Sequence, residues 1–196
     1  MGDTTTAYYA KNAQGFFTET VAVDMEPLYE RFLPRLPAGG HILDAGCGSG
    51  RDCRAFIQRG YRVTAFDASP ELARLARRHI GQDVLVMRLE EMDWQQTFDG
   101  IWACASLLHV PAAGLAEVMA RLARALKPGG ILYASFKHGP GEREHDGRRF
   151  TDLDESGLNA LIAQVSSLSL IETWVTGDLR PGRGDQPWLN TLLIAG

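Results

Sequence analysis

Apolar residues along this chain follow two alternating rhythms. Short apolar runs bounded by glycine or polar residues read as buried strands, and i, i+3, i+4 spacings read as helices. The runs are His41 to Asp44, Tyr61 to Asp67, Val84 to Leu89, Phe98 to Cys104 and Ile131 to Phe136, then Leu168 to Val175 and Trp188 to Ile194. Between them, Asp52 to Arg59 predicts a helix, and so does the stretch from Ser69-Pro70 to about Gly81, with serine as N-cap and proline first. Leu115, Val118, Met119, Leu122, Ala123 and Leu126 mark one face of a further helix. Leu158, Leu161, Ile162 and Val165 mark another, with Thr151 and Asp154 ahead of it as a capping-box variant. Lys127-Pro128-Gly129-Gly130 predicts a type II turn leading into the fifth strand.

Strands alternating with helices imply an α/β fold: a doubly wound, seven-stranded, mostly parallel sheet with helices on both faces and ligands at the carboxyl ends of its strands. The last two strands lack an intervening helix, so they form a hairpin and the final strand runs antiparallel. Ahead of the sheet lie two expected helices. Thr4 to Phe17 carries Tyr8, Tyr9, Phe16 and Phe17, and Asp24 to Leu36 holds Pro27 in its first turn.

Composition narrows the function. A chain of 196 residues with net charge −4 gives no electrostatic reason to expect a nucleic-acid binder. No apolar run approaches the roughly 18 residues that span a bilayer, so no membrane insertion is expected. Cys47, Cys53 and Cys104 lack metal-ligand spacing, which fits a reducing cytoplasm and no metal site.

The chemistry concentrates in His41-Ile42-Leu43-Asp44-Ala45-Gly46-Cys47-Gly48-Ser49-Gly50. An apolar strand runs into an acid, then into glycines at every second position, then into a helix whose free N–H groups face the turn. This predicts a nucleotide-type cradle. Arg51 stands where the dinucleotide fingerprint has its third glycine. Asp44, read as facing the ligand, would oppose a pyrophosphate and suit a ligand bearing an ammonium and a sulfonium, such as S-adenosylmethionine (SAM).

With LDAGCGSGRD, VTAFDAS, FDGIWACASLLHVP and LKPGG in this order, the chain resembles the class I SAM-dependent methyltransferase family from about His41 to Phe136. The resemblance implies that Asp44, Gly46, Cys47, Gly48, Ser49 and Arg51 hold the cofactor. Asp67 would accept hydrogen bonds from both ribose hydroxyls, and Ala68 and Ser69 would flank the adenine. The family often places an Asp and a small residue after the third strand; here Arg88-Leu89 stands there, or Glu90 under a shifted register, which leaves a backbone contact from Leu89 in place of the side-chain contact. Ala103 to Ser106, with Ala105 among them, would pass under the methionine part. Residues 1–40 then read as a helical cap and 41–196 as the SAM-binding domain, together one globular unit.

Further candidates lie on the expected ligand face. His109 follows the fourth strand, and an imidazole's ordinary pKa suits a general base. Tyr9 is the alternative base, or a cation–π partner for the sulfonium. The segment from His138 to Arg149, with Arg148, reads as a mobile lid or a solvated loop. The linker from Gly177 to Pro187 reads as a hairpin turn or as a cationic rim, with Arg180 and Arg183, for an anionic substrate. The expected activity is methyl transfer from SAM to a small-molecule acceptor, whether O, N, S, C or metalloid. A non-catalytic SAM-binding protein and a nicotinamide-dependent oxidoreductase are the competing classes.

Overall fold

The computed structural model describes residues 4–196. The chain runs α1 (Thr4–Thr20), α2 (Glu26–Phe32), β1 (His41–Ala45), α3 (Arg51–Gln58), β2 (Arg62–Asp67), α4 (Pro70–Ile80), β3 (Leu85–Val86), β4 (Phe98–Ala103) and α5 (Ala112–Ala125). Then follow β5 (Leu126–Lys137), β6 (Gly141–His145), β7 (Arg148–Asp152), α6 (Glu155–Ile162), β8 (Leu168–Gly177) and β9 (Pro187–Ala195). Seven strands form one sheet in the order β3-β2-β1-β4-β5-β9-β8. β1 pairs in parallel with β2 and β4, whereas β9 is antiparallel to both β5 and β8. The expected fold, with its single reversed last strand, is the one observed.

Strand alternation builds two apolar layers from the same strands. Leu43, Ala45, Ile101, Ala103, Leu132 and Ala134 face α5 and α6, meeting Leu115, Val118, Met119 and Leu122. Their sequence neighbours Ile42, Trp102, Ile131 and Tyr133 face the other way, against Leu28, Tyr29 and Phe32 of α2 and Phe56 of α3. Trp102 stacks on Tyr133 with ring centroids 3.9 Å apart. Because both faces are covered, the strands are near-continuously apolar. Helix α2 belongs to this core. Helix α1 instead lies on α4, through Ala13, Leu72 and Leu75 with Tyr9, Phe16 and Phe17 around them.

Several local expectations are corrected. The helix expected over Asp24–Leu36 ends at Phe32 and continues as a 3-10 turn, Leu33–Arg35, because Pro34 removes a helical N–H. β3 is only two residues long and gives way to a second 3-10 turn, Leu89–Glu91. The Lys127–Gly130 turn is a bulge within β5: Phe98 lies opposite Leu126 and Gly100 opposite Ile131, so four residues face Asp99 alone. Gly129 takes φ +76° there, as the expected turn requires. Asp154 caps α6 by itself, accepting from the Gly157 N–H at 2.8 Å, while the Thr151 hydroxyl donates to the Val110 carbonyl. The stretch expected as a lid or solvated loop is a β-hairpin, with His145 opposite Arg148.

Phe32 is fully buried between Phe56 and Trp102. Phe32→Ala should therefore cost about 3–5 kcal/mol of stability, measured by urea denaturation; a loss under about 1 kcal/mol would mean that α2 does not belong to the core.

Candidate functional site

The carboxyl ends of β1, β2, β4 and β5 open into a cleft of about 1110 Å³. That exceeds the roughly 300–1,000 Å³ of a typical small-molecule site, so a cofactor and an acceptor can share it. Of the residues singled out in the sequence, Tyr9, Gly46, Cys47, Gly48, Ser49, Arg51, Asp67, Ala68, Ser69, Arg88, Leu89, Ala105, His109, Arg148, Arg180 and Arg183 all line it. Asp44 does not.

The glycine loop needs its glycines for closeness. Gly46 takes φ +83°, and a Cβ there would sit 2.6 Å from the Cβ of Ser106. At Gly48 a Cβ would sit 3.1 Å from the Phe16 ring of α1, so the helix and the loop close on each other. The loop amides are committed internally. Gly46 and Cys47 N–H donate to the Phe66 carbonyl, Gly50 N–H to that of Cys47, and Gly48 N–H to Asp67 Oδ2 at 2.8 Å. A loop that spends these donors on itself is a poor pyrophosphate cradle.

Asp67 is buried and accepts on both oxygens, from Gly48 N–H and from Ser69 N–H, each at 2.8 Å. Burial raises its pKa, and these two amides work the other way. A carboxylate has about four acceptor positions, which leaves capacity on each oxygen for a vicinal diol.

Asp44 corrects the sequence reading. Its side chain points beneath the loop, 2% exposed, and accepts from the Cys53 thiol of α3 at 2.9 Å. Burial, and next the Asp52 carboxylate, push it up to about 8. It supports the loop and does not edge the cleft; the case against phosphate rests instead on the committed amides. Burial likewise pushes the Cys104 thiol up to about 12, which fits a non-nucleophilic thiol.

The charge next to the loop is organised by Asp52, which sequence reasoning missed. Its carboxylate takes two bonds from Arg51 at 2.8 Å, one from Trp102 Nε1 at 2.9 Å and one from Tyr29 Oη at 2.5 Å. Burial opposes its charge, yet Arg51, Tyr29 and Trp102 hold it below the ordinary carboxylate range. Arg51 is thereby fixed in one orientation along the cleft. Ser106 ends the stretch expected to pass under the methionine part: its Oγ is buried with no hydrogen-bond partner among the described residues, facing the same space. Ala105 before it takes φ +54°, a strained conformation for a residue with a Cβ, held by its N–H on Ser135 Oγ. Nothing in the local sequence signals the partners of Asp52 or the strain at Ala105.

Tyr9 and His109, a hundred positions apart, meet at 2.9 Å between the phenol and Nε2. His109 Nδ1 lies 2.7 Å from the Arg149 carbonyl in β7 and must be the donor there, so in the neutral ring Nε2 accepts from Tyr9. Burial raises the Tyr9 pKa, and Arg148 partly offsets this.

The cationic rim read from the sequence is neutralised within the protein. Arg180 grips Asp178, which also receives Lys137. Arg183 meets Glu19 at 3.5 Å, and Arg148 meets Asp146 at 3.6 Å while lying 4.3 Å over the Tyr8 ring.

Residues 42–130 match the family model described as a methyltransferase domain. The ubiquinone biosynthesis O-methyltransferase of Xanthomonas oryzae pv. oryzae is 37% identical over 105 residues, which are 50% of this chain and 43% of that protein. The match thus spans less than half the length of that curated relative. The crystal structure of Burkholderia thailandensis 1,6-didemethyltoxoflavin-N1-methyltransferase, with 1,6-didemethyltoxoflavin and S-adenosylhomocysteine bound, superposes with a TM-score of 0.78. It is 25% identical and covers 96% of this chain and 84% of its own. Magnesium protoporphyrin IX methyltransferase from Synechocystis PCC 6803, with SAM bound, gives a TM-score of 0.75 at 15% identity, covering 100% and 98%. Residues 42–130 thus match a methyltransferase-domain model, and the strand order and cleft are similar to those of class I SAM-dependent methyltransferases. The resemblance read from the motifs holds.

Because Asp44 takes up its proton more readily folded than unfolded, its contribution to wild-type stability should fall as pH rises from about 4 to about 8 and level above that. Asp44→Asn removes this contribution. Its stability relative to wild type should therefore climb across that window, as followed by urea denaturation at several pH values; a constant difference would show that Asp44 is ionised in the native state.

Proposed function

We propose that this protein is a SAM-dependent methyltransferase acting on a small-molecule acceptor. The observation that carries the proposal is the buried Asp67 carboxylate, clamped by two backbone amides at the rim of a cleft large enough for two ligands. The relatives support it, since one is named for ubiquinone biosynthesis and another binds 1,6-didemethyltoxoflavin beside S-adenosylhomocysteine.

When bound, SAM supplies a methyl group on a cationic sulfur, already activated for transfer. The residues of this chain then bind and align. Asp67 receives the ribose hydroxyls, and Ala68, Ser69, Arg88 and Leu89 surround the base. Arg51, held by Asp52, offers its remaining N–H groups to the carboxylate of the amino-acid tail. Ser106 supplies a hydroxyl that has no hydrogen-bond partner among the described residues. Helix α1 covers the loop through Phe16 and the acceptor space through Tyr9 and serves as the cap, while α2 belongs to the core. Alignment of acceptor, methyl and sulfur is the main contribution, and such positioning supplies up to about 7–11 kcal/mol.

The test is calorimetric. SAM and S-adenosylhomocysteine should bind, NAD should give no heat, and Asp67→Ala should weaken SAM binding by about 1–3 kcal/mol. Tight NAD binding without SAM binding would turn the assignment to an oxidoreductase. SAM binding with no S-adenosylhomocysteine release from any acceptor in a broad panel would turn it to a non-catalytic binder.

A further inference from the structure

Resting on that reading, we propose that Tyr9 and His109 form a proton relay, and that the acceptor it serves is an uncharged aromatic molecule attacking through a hydroxyl. Three segments that come together only in the folded chain build the relay. Tyr9 comes from α1, His109 from the turn after β4, and the Arg149 carbonyl from the hairpin. The carbonyl fixes Nδ1 as the protonated nitrogen, which leaves Nε2 able to take a proton from the phenol.

The surroundings select the acceptor. The Tyr8 and Phe16 rings lie 5.5 and 5.2 Å from Tyr9, and Phe150 lies 5.1 Å from His109, so flat apolar walls enclose the pair. The nearby cations already hold carboxylates, so an anionic acceptor gains little there. Among the described residues, the groups whose charge bears on Tyr9 include Tyr8 from α1, Asp67 from the end of β2, Arg148 from β7 and Arg180 from the β8–β9 connection.

An uncharged hydroxyl is a weak nucleophile until its proton leaves. In the proposed step the acceptor O–H bond breaks and its proton passes to Tyr9 Oη, while the Tyr9 proton passes to His109 Nε2. The acceptor oxygen bonds the methyl carbon as the carbon–sulfur bond breaks. That electron pair stays on sulfur, giving the methylated acceptor, S-adenosylhomocysteine and a protonated imidazole hydrogen-bonded to the Arg149 carbonyl. Tyr9 is the catalytic residue and His109 its positioning and proton-accepting partner.

The test uses the whole protein labelled at histidine nitrogen, as wild type, Tyr9→Phe and His109→Gln, with catechol and the more acidic nitrocatechol as acceptors. By nitrogen NMR, wild-type His109 should show a protonated Nδ1 and a bare Nε2. Losing one neutral hydrogen bond in Tyr9→Phe should shift the Nε2 signal and raise the protonation midpoint by about half a unit or more. Tyr9→Phe should slow catechol turnover about a hundredfold, slow nitrocatechol far less, and leave S-adenosylhomocysteine affinity within about twofold. His109→Gln should reproduce the catechol loss and flatten the rise of rate with pH. A protonated Nε2, an unmoved His109 signal in Tyr9→Phe, or full catechol turnover in both variants overturns the relay. Binding of S-adenosylhomocysteine without turnover of either catechol overturns the hydroxyl-acceptor assignment. An intact His109–Tyr9 signature in a protein that does not bind S-adenosylhomocysteine overturns the methyltransferase reading itself.

Discussion

The cleft depends on one carboxylate holding two amides. Asp67 ends β2, and its two oxygens reach the Gly48 N–H of the glycine loop and the Ser69 N–H that precedes α4. The glycine loop and the β2–α4 connection, two segments apart in the chain, are thereby set relative to each other at one point. The loop can approach Ser106 and Phe16 only because it has no side chain at Gly46 and Gly48, and it stays there because Asp67 holds it. A buried acid would be costly without partners. With two amides satisfying part of its capacity, it keeps acceptor positions at the lining of the cleft.

Most of the sheet was legible because burial on both faces writes itself into sequence. Residues such as Ile42 and Leu43 are both apolar since each meets a different helical layer. The hairpin was illegible for the opposite reason. Glu142, Arg143, Glu144 and His145 are exposed on β6, so neither face carries a hydrophobic signal, and its pairing comes from the tight turn at Asp146-Gly147. β3 was overestimated because Val84 and Leu89 are packed apolar residues outside the strand, while the two residues within it, Leu85 and Val86, are largely exposed at the sheet edge.

The site divides along the same line. Residues that act through backbone shape, such as Gly46 and Gly48, or from a strand end, such as Asp67, were readable from order and spacing. Residues that act through a partner were not. Asp44 was assigned to the wrong side of the loop because sequence does not reveal that Cys53 lies beneath it. Arg183 looked free because its carboxylate, Glu19, stands far away in the chain, and Arg180 and Arg148 looked free because spacing alone does not show that Asp178 and Asp146 turn back onto them. Tyr9 and His109 were each noticed, but the bond between them belongs to the fold.

Helix α1 is fastened at both ends to the walls of the cleft. Near its start the Thr5 hydroxyl accepts from the Arg149 N–H of the hairpin, and at its end Thr20 lies 3.1 Å from the Ser49 hydroxyl of the loop. The helix lies on the cleft as a bar latched on two sides. A shift of α1 that widened the cleft would have to release the hairpin or the glycine loop, so the cover and the two walls it touches act as one mechanical unit.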